Sequence, residues 1–428
     1  MMRATLPARP SLENLRNQAK ALAKRHNEAD PEALARVESV VEAAKLPLEL
    51  HDAQFVLARE YGFASWPKLV EHVEGPKPSG RVRSENGRVW IDGVARLRWG
   101  ASPEPTYIGA LEAAFRGSAR PLDVTRLMGD SGLGFRVRWA TRDKGNAWCG
   151  SGPCGEWPEE VDALNAATGY VFRWDTPKAG AQPPTEQGSS ALIERIVENV
   201  DRGSPILCFF THLDMAVIYG YEDGGKRVLV SDYWASDDPS VLPTHEAKEV
   251  GMFLRSVEEP APRGAAVRAG LKLALQRWRQ GVVDPDPITG ATYYYGSAAY
   301  KRWIGDLGRV ESLTDEQRAN LFFLNGWTYS SLHMNRSEHA AKYLRESAQH
   351  LPEAARPRLE AAAQRYDRMR DVLGKWDAAS PKFGFGKRQK LETWTESVRK
   401  EEIALLRSLH ELDTHAMGDI ERALGAAD

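Results

Sequence analysis

The chain has few cysteines, little net charge and no long apolar run, and each absence narrows the class of protein. Three cysteines among 428 residues argue against a disulfide scaffold and suit a reducing compartment. A formal net charge of −2 gives no electrostatic reason to bind nucleic acid or an anionic membrane. No apolar run approaches the roughly 18 residues of a membrane span, and the N-terminus lacks the apolar core of a signal peptide. We therefore expect a cytoplasmic protein with neither nucleic acid nor membrane as a partner.

The length of the chain predicts more than one hydrophobic core. Residues 1–75 show helical periodicity and predict a helical bundle, whereas 76–87 are rich in Pro, Gly, Ser and charge and predict a linker. Strand and helix patterns mix over 88–260, and helical periodicity alone continues over 261–428. We expect an α+β middle domain between an N-terminal helical bundle and a C-terminal all-α domain.

The N-terminal helices carry a recognisable string. Asp30 followed by Pro31 is typical of a helix start. The segments LPARPSLENLRNQAKALAKRH and DAQFVLAREYGFASWPKL resemble the helical unit that precedes ankyrin repeats and other domains in many bacterial proteins. The ankyrin TPLH-type pattern is absent here. The resemblance implies a helical unit, and recruitment of a protein partner by these helices is one hypothesis.

The middle of the chain contains three β-rich runs, at 206–211, 215–221 and 227–231. Residues 222–226, EDGGK, favour the positive φ angles of a tight reversal, so the second and third runs predict a hairpin. His212 and Asp214 precede the second run, and Asp232 follows the third. Enzymes often place functional side chains where the strands of a rigid sheet end.

Two further predictions concern the segment before this hairpin. Residues 89–91 and 94–99 predict two strands joined by a turn at Asp92-Gly93. Thr106 predicts the cap of a helix with Ile108 and Leu111 on its buried face.

Three segments of the middle domain carry a family resemblance. They are RWGASPEPTYIGALEAAF, MGDSGLGFRVRW and DMAVIYGYEDGGKRVLVSDYW. Over roughly residues 95–255 the chain resembles the papain-like N-terminal domain of the butirosin biosynthesis acyltransferase (butirosin biosynthesis protein H) and, more distantly, bacteriocin-processing cysteine peptidases. The resemblance implies a cysteine nucleophile at the start of a helix, a histidine base opening a strand and an aspartate that orients the histidine.

The chain departs from that family pattern at two of the three positions. The cysteine's place falls on Pro105 or Thr106 and the histidine's place on Asp214, while Asp232 matches. A carboxylate is too weak a base to activate a threonine hydroxyl at neutral pH. The resemblance therefore implies a catalytically degenerate site. Tyr107, Tyr219, Trp234 and Trp148 are the predicted ligand-binding residues around it.

The Cys149-x4-Cys154 loop is a second candidate for chemistry. It could hold half a zinc site, form a reversible disulfide, supply a displaced nucleophile with His212 as base, or contain two ordinary thiols. A structural zinc site needs four ligands, so His212 or His245 would have to join; we predict no metal and no cofactor. Because it lies between Leu207 and Phe209, Cys208 is predicted to be a core residue.

Two other motifs contain residue types that are common in functional sites. His212, Asp214 and Asp232 could form a general acid–base pair or a divalent-cation site, or simply a solvated strand end. Residues 129–134, GDSGLG, precede a predicted strand rather than a helix and so do not predict a phosphate loop.

Three functions remain open from the sequence. The first is a degenerate papain-like protein that binds a small molecule or peptide. The second is an active acyltransferase or amidase that uses Cys149 or Cys154. The third is an interaction module without a ligand pocket.

Overall fold

The computed structural model describes residues 6, 12–41, 47–63, 65–66, 69, 73, 81–99, 101–103, 105–141, 158–174, 186–209, 214–234, 240–246, 251–285, 291–379 and 391–426. The chain divides into two compact units. One comprises Met1–Pro78 with Arg255–Val257, and the other comprises Ser79–Leu254 with Glu258–Asp428. The second unit contains both the segment predicted as the α+β domain and the segment predicted as the all-α domain.

The N-terminal unit is helical, with α1 at Leu12–Asn27, α2 at Pro31–Glu38 and α3 at Leu50–Glu60. The Asp30 side chain accepts a hydrogen bond from the Ala33 N–H, and Pro31 is the first residue of α2. This confirms the predicted helix start. One hydrophobic cluster joins the three helices through Leu22, Ala33, Val37, Ala53 and Val56. Most of residues 64–75, the end of the predicted bundle, lie outside the described residues.

The strands of the described residues form two sheets. The strands are β1 Val82–Glu85, β2 Arg88–Ile91, β3 Arg138–Thr141, β4 Tyr170–Trp174, β5 Ile206–Phe209, β6 Met215–Glu222, β7 Arg227–Ser231, β8 Ser240–Pro243, β9 Met252–Val257, β10 Val282–Val283 and β11 Thr292–Tyr295. The larger sheet has the order β1-β2-β6-β5-β9-β4, with β7 paired to β6 and β8 paired to β7; the smaller has the order β10-β11-β3. The pairings with a defined register are antiparallel.

Helices cover these sheets and dominate the C-terminal half. They are α4 Thr106–Phe115, α5 Val124–Asp130, α6 Pro158–Thr168, α7 Glu186–Asp201, α8 Arg263–Arg279, α9 Gly296–Leu307, α10 Asp315–His333, α11 Ala341–Ala348, α12 Arg356–Ala379 and α13 Glu396–Gly425. This mixture of helices with antiparallel sheets is α+β, as predicted. Among the helices of the described segments, none is long and apolar enough to cross a membrane.

The central hairpin is confirmed, because β6 and β7 pair antiparallel around a turn in which Asp223, Gly224 and Gly225 have positive φ. One face of this hairpin packs on α7. The cluster that joins them includes Ile196 and Val200 of the helix and Ala216, Ile218 and Val230 of the strands. Cys208 of β5 belongs to the same cluster, which confirms its prediction as a core residue.

The pairing of β2 differs from the prediction. Residues 94–98 form no strand; the Ala95 N–H donates to the Ala113 carbonyl and the Leu97 N–H to Ser231 Oγ. Strand β2 instead pairs with β6 on one side and with β1 on the other. The predicted hairpin over 89–99 is therefore wrong, because the backbone of Ala95 and Leu97 binds α4 and β7 instead of β2.

Strand β1 lies inside the segment 76–87 that the composition predicted as a linker. Its hairpin with β2 turns at Asn86 and Gly87, both with positive φ. An Asn-Gly turn with two positive φ angles matches the twist of the flanking strands.

The C-terminal helices also differ from the sequence pattern at one point. Separate helices are predicted at 314–334 and 337–350, but α10 continues through a π-helical segment, Met334–Ala340, into α11. Helix α10 begins with a capping box, in which Thr314 and Gln317 exchange side-chain and backbone hydrogen bonds.

Candidate functional site

The start of α4 lies against the start of β6. Pro105 is the residue before α4 and Thr106 is the first helical residue, so the prediction that Thr106 caps the helix is wrong. Its hydroxyl is used elsewhere: the Met215 N–H donates to Thr106 Oγ1 at 3.0 Å. Thr106 is only 8% exposed. This hydrogen bond therefore joins the start of α4 to the start of β6.

The β6–β7 hairpin brings the two predicted carboxylates to one edge of the sheet. Asp214 directly precedes β6 and Asp232 directly follows β7. Val217 pairs with Ser231, so extending the register by one residue sets Asp232 opposite Ala216. Because strand side chains alternate, Asp214 then shares a face with Asp232 and is its diagonal neighbour.

Trp234 joins these two carboxylates. Its backbone N–H donates to Asp232 Oδ1 at 2.6 Å and its indole Nε1–H donates to Asp214 Oδ2 at 2.8 Å. The first bond is an Asx-type turn, in which an aspartate binds the backbone two residues on. The tryptophan ring remains 49% exposed. Two acidic groups thus hold a large aromatic ring at the protein surface.

A cluster of rings continues from Trp234 into the protein. The ring of Trp99 lies 4.5 Å from Tyr233, 5.8 Å from Trp234 and 5.8 Å from Trp327 of α10, measured between centroids. The contacts of Trp99 with Trp234 and Trp327 are edge-on, at 76° and 74°, which aromatic pairs favour. We call the set Trp99, Asp214, Asp232, Tyr233, Trp234 and Trp327 the acid–aromatic corner.

Tyr233 is fixed by a close approach of α4. Its hydroxyl donates to the carbonyl of Pro103. Gly109 of α4 faces this ring so closely that a Cβ atom there would lie 1.8 Å from the Tyr233 hydroxyl oxygen. The absence of a side chain at 109 therefore lets the tyrosine reach its partner.

The structure does not bring all predicted ligand-binding residues to this corner. Tyr107 follows Thr106 in α4 and is buried. Tyr219 is the extra residue of a β-bulge between Ile218 and Gly220, five residues along β6 from Asp214, or roughly 16 Å at about 3.3 Å per residue. Trp148, Cys149, Cys154 and His212 lie outside the described residues.

Cys208 and His245 offer no acyl chemistry at the corner. Burial raises the pKa of the Cys208 thiol, and the charge of Asp232 raises it further, so the thiol stays protonated at neutral pH. His245 follows β8, whose last residue, Pro243, pairs with Arg227 at the far end of β7. It therefore lies away from Asp232. Among the described residues, no group of three or more His, Cys, Asp or Glu is placed to hold a metal ion.

A second polar cluster is fully buried. Arg336, in the π-helical segment, donates to the carbonyls of Gly134 and Phe135 at 2.7 Å each and to Asp413 Oδ2 at 2.9 Å. The side chains of Arg336 and Asp413 are both fully buried. Tyr300 also donates to Asp413. The glycine-rich segment 129–134 thus leads into a turn whose carbonyl groups accept hydrogen bonds from Arg336.

The chain matches no model of a known protein family and no curated protein. Functional inference therefore rests on the geometry of the residues themselves. Sequence reasoning missed Trp99, Tyr233 and Trp327 as members of the corner. Trp99 and Tyr233 are sequence neighbours of the predicted site residues. No local sequence pattern predicts the contact between Trp99 and Trp327.

Proposed function

We propose that the segment 88–260 is a catalytically degenerate papain-like scaffold that binds a ligand at the acid–aromatic corner. One observation carries the proposal: the Met215 N–H donates to Thr106 Oγ1. It supports a site in which the first residue of a helix faces the opening of a strand. In the family that this segment resembles, those two positions hold the cysteine and the histidine. Here they hold Thr106 and Asp214.

The residues at these positions favour binding over acyl transfer. A nucleophile at a helix start needs a base of suitable pKa within hydrogen-bond reach. A carboxylate at the base position is too weak to deprotonate a threonine hydroxyl, and the Thr106 hydroxyl already accepts the Met215 N–H. The same carboxylates are well suited to attract a positive charge.

The chemistry of the corner favours a cationic ligand, such as an ammonium group. Asp214 and Asp232 supply two negative charges at one sheet edge, and a carboxylate can accept several hydrogen bonds. The exposed ring of Trp234 offers a π face, and tryptophan is the best aromatic partner for a cation. A small amine or a peptide with a cationic side chain fits this combination.

Two other hypotheses stay open and are separable from this one. An active acyltransferase or amidase based on Cys149 or Cys154 predicts that one of these thiols is alkylated rapidly well below the ordinary thiol pKa of about 8.5. Site-resolved mass spectrometry of the alkylated native protein reads this directly. Recruitment of a protein partner by the N-terminal helices predicts binding that survives loss of the corner.

A calorimetric titration of the full chain with choline tests the proposal. Choline carries a quaternary ammonium group, and 3,3-dimethyl-1-butanol is its neutral isostere, so only the charge differs. We expect choline to bind and the alcohol not to bind. Asp214→Asn should weaken choline binding about tenfold, a loss of ~1.4 kcal/mol of attraction between the carboxylate and the ammonium group.

Asp223→Asn is the matched control. Asp223 lies at the turn of the same hairpin, at the end opposite the corner, and has positive φ, which asparagine tolerates. We expect its choline affinity to equal that of the unchanged protein. Equal binding of choline and the neutral alcohol, or equal losses in both variants, would refute a cation site at the corner.

A further inference from the structure

A second concave site lies between β3 and the helices α9 and α10. Its cavity of about 320 Å³ is at the lower end of the roughly 300–1,000 Å³ that small-molecule pockets span. Ala140 of β3 forms part of its wall, with Arg302 and Asp306 of α9 and Leu321 and Leu324 of α10. No residue of the acid–aromatic corner lines it.

The charged part of this cavity's wall consists of Arg302, Asp306 and Arg309. Arg302 donates through Nε to both carboxylate oxygens of Asp306, at 2.9 and 3.0 Å, and Arg309 donates to the same carboxylate through Nη2. Two guanidinium groups thus share one carboxylate. The Trp139 indole also donates to Asp306, at 2.8 Å, which holds that carboxylate against the protein.

Arg309 is the cation best placed to meet a ligand. Its side chain is 61% exposed, and a guanidinium has five N–H donors in a planar fork. Only Nη2 is engaged by Asp306 among the described contacts. A planar fork matches the two oxygens of a carboxylate, so the remaining donors suit an anion of that shape.

The rest of the cavity is mixed in polarity. Leu313, Leu321 and Leu324 with Ala140 give an apolar surface, while Gln317 and Asn320 add neutral polar groups. Apolar walls with a few placed polar groups are typical of small-molecule sites. The wall therefore favours a molecule with one charged end and one apolar end.

We infer that this cavity binds a small organic carboxylate with a short apolar chain. The carboxylate binds the guanidinium of Arg309 at the mouth, beside Arg302. The chain lies against Leu321 and Leu324. This site is independent of the proposed cation site, because it has the opposite charge preference and shares no residue with it.

Calorimetric titration of the full chain with hexanoate tests this inference. Hexanamide has the same chain without the charge, and inorganic phosphate has the charge without the chain. We expect hexanoate to bind at a single site, hexanamide not to bind, and phosphate to bind at least tenfold more weakly than hexanoate, a difference of ~1.4 kcal/mol.

Arg309→Gln locates the site. We expect it to weaken hexanoate binding about tenfold, while Arg370→Gln leaves it unchanged. The control is closely matched, because Arg370 pairs with Asp367 at the same i,i+3 spacing and its side chain is 55% exposed. Asn320→Phe, which places a ring in the cavity, should abolish binding.

Several results would overturn the inference. They are equal binding of hexanamide and hexanoate, phosphate binding as tight as hexanoate binding, no hexanoate binding at millimolar concentration, or equal affinity in Arg309→Gln and the unchanged protein. The first would indicate a purely apolar pocket and the second a simple anion site.

Discussion

The acid–aromatic corner and the buried Arg336–Asp413 pair both connect carboxylates to distant parts of the chain, but their surroundings differ. At the corner, Asp214 and Asp232 hold Trp234, whose ring is half exposed. In the buried cluster, Arg336 and Asp413 are fully enclosed, and the guanidinium donates to backbone carbonyls as well as to the carboxylate.

This difference separates a structural role from a binding role. A buried ion pair is costly to break, because removal of one partner leaves an uncompensated charge in a medium of low dielectric constant. Carboxylates at an exposed edge lose little when their protein partner is exchanged for a ligand. We therefore assign Arg336 and Asp413 to stability and propose a binding role for the corner.

The largest expected effect comes from the buried pair. Arg336→Met leaves Asp413 buried without its guanidinium, and we expect the free energy of unfolding to fall by about 3–5 kcal/mol. Denaturant unfolding measures the loss. Arg345→Met is the control, because Arg345 pairs with Glu360 and Asp367 while its side chain is 40% exposed; its loss should stay within about 1 kcal/mol.

The double variant Arg336→Met/Asp413→Leu sharpens this comparison. It removes both charges, so we expect it to be more stable than Arg336→Met alone. If Arg336→Met and Arg345→Met cost the same, the distinction between the buried cluster and exposed pairs would fail.

A smaller effect is expected at the corner, from Gly109→Ala. The added Cβ would lie 1.8 Å from the Tyr233 hydroxyl oxygen, so Tyr233 must move and lose its bond to Pro103. We expect a destabilisation of about 1–3 kcal/mol, measured by thermal unfolding.

Gly305→Ala is the matched control for this change. Gly305 is also helical, in α9, and a Cβ there meets no atom within 4 Å. Alanine should therefore stabilise the helix by about 0.5–1 kcal/mol. Stabilisation by both substitutions would contradict the close approach of α4 to Tyr233.

Local signals in the sequence were sufficient for much of the fold. The β6–β7 hairpin follows from alternating β-formers around Gly224-Gly225, and the start of α2 follows from Asp30-Pro31. The Asn86-Gly87 turn of the first hairpin was also present in the sequence, but the surrounding Pro, Gly and Ser favoured a linker.

Contacts between distant segments could not be read from local patterns. The pairing of Val89 with Tyr221 joins β2 to a strand far along the chain, and the backbone of Ala95 and Leu97 binds α4 and β7. Carboxylates at one edge of the sheet were predicted, because hairpin register places Asp214 and Asp232 together. The meeting of Trp99 with Trp327 depends on tertiary packing alone.

The most direct test of the proposed papain-like geometry is to restore its chemistry. In Thr106→Cys/Asp214→His, an imidazole at the strand opening should meet a thiol at the start of α4 and lower the pKa of that thiol below about 8.5. The measurement is the alkylation rate of residue 106 against pH, read by mass spectrometry to separate it from the native cysteines.

Thr106→Cys/Asp214→Asn is the control, since it removes the same carboxylate but supplies no base. We predict that the variant with histidine is alkylated at least tenfold faster at pH 6. As the pH rises, its alkylation rate should reach a plateau at a lower pH than the rate of the control does. Identical pH profiles for the two variants would contradict the proposed correspondence of Thr106 and Asp214 with a nucleophile and its base.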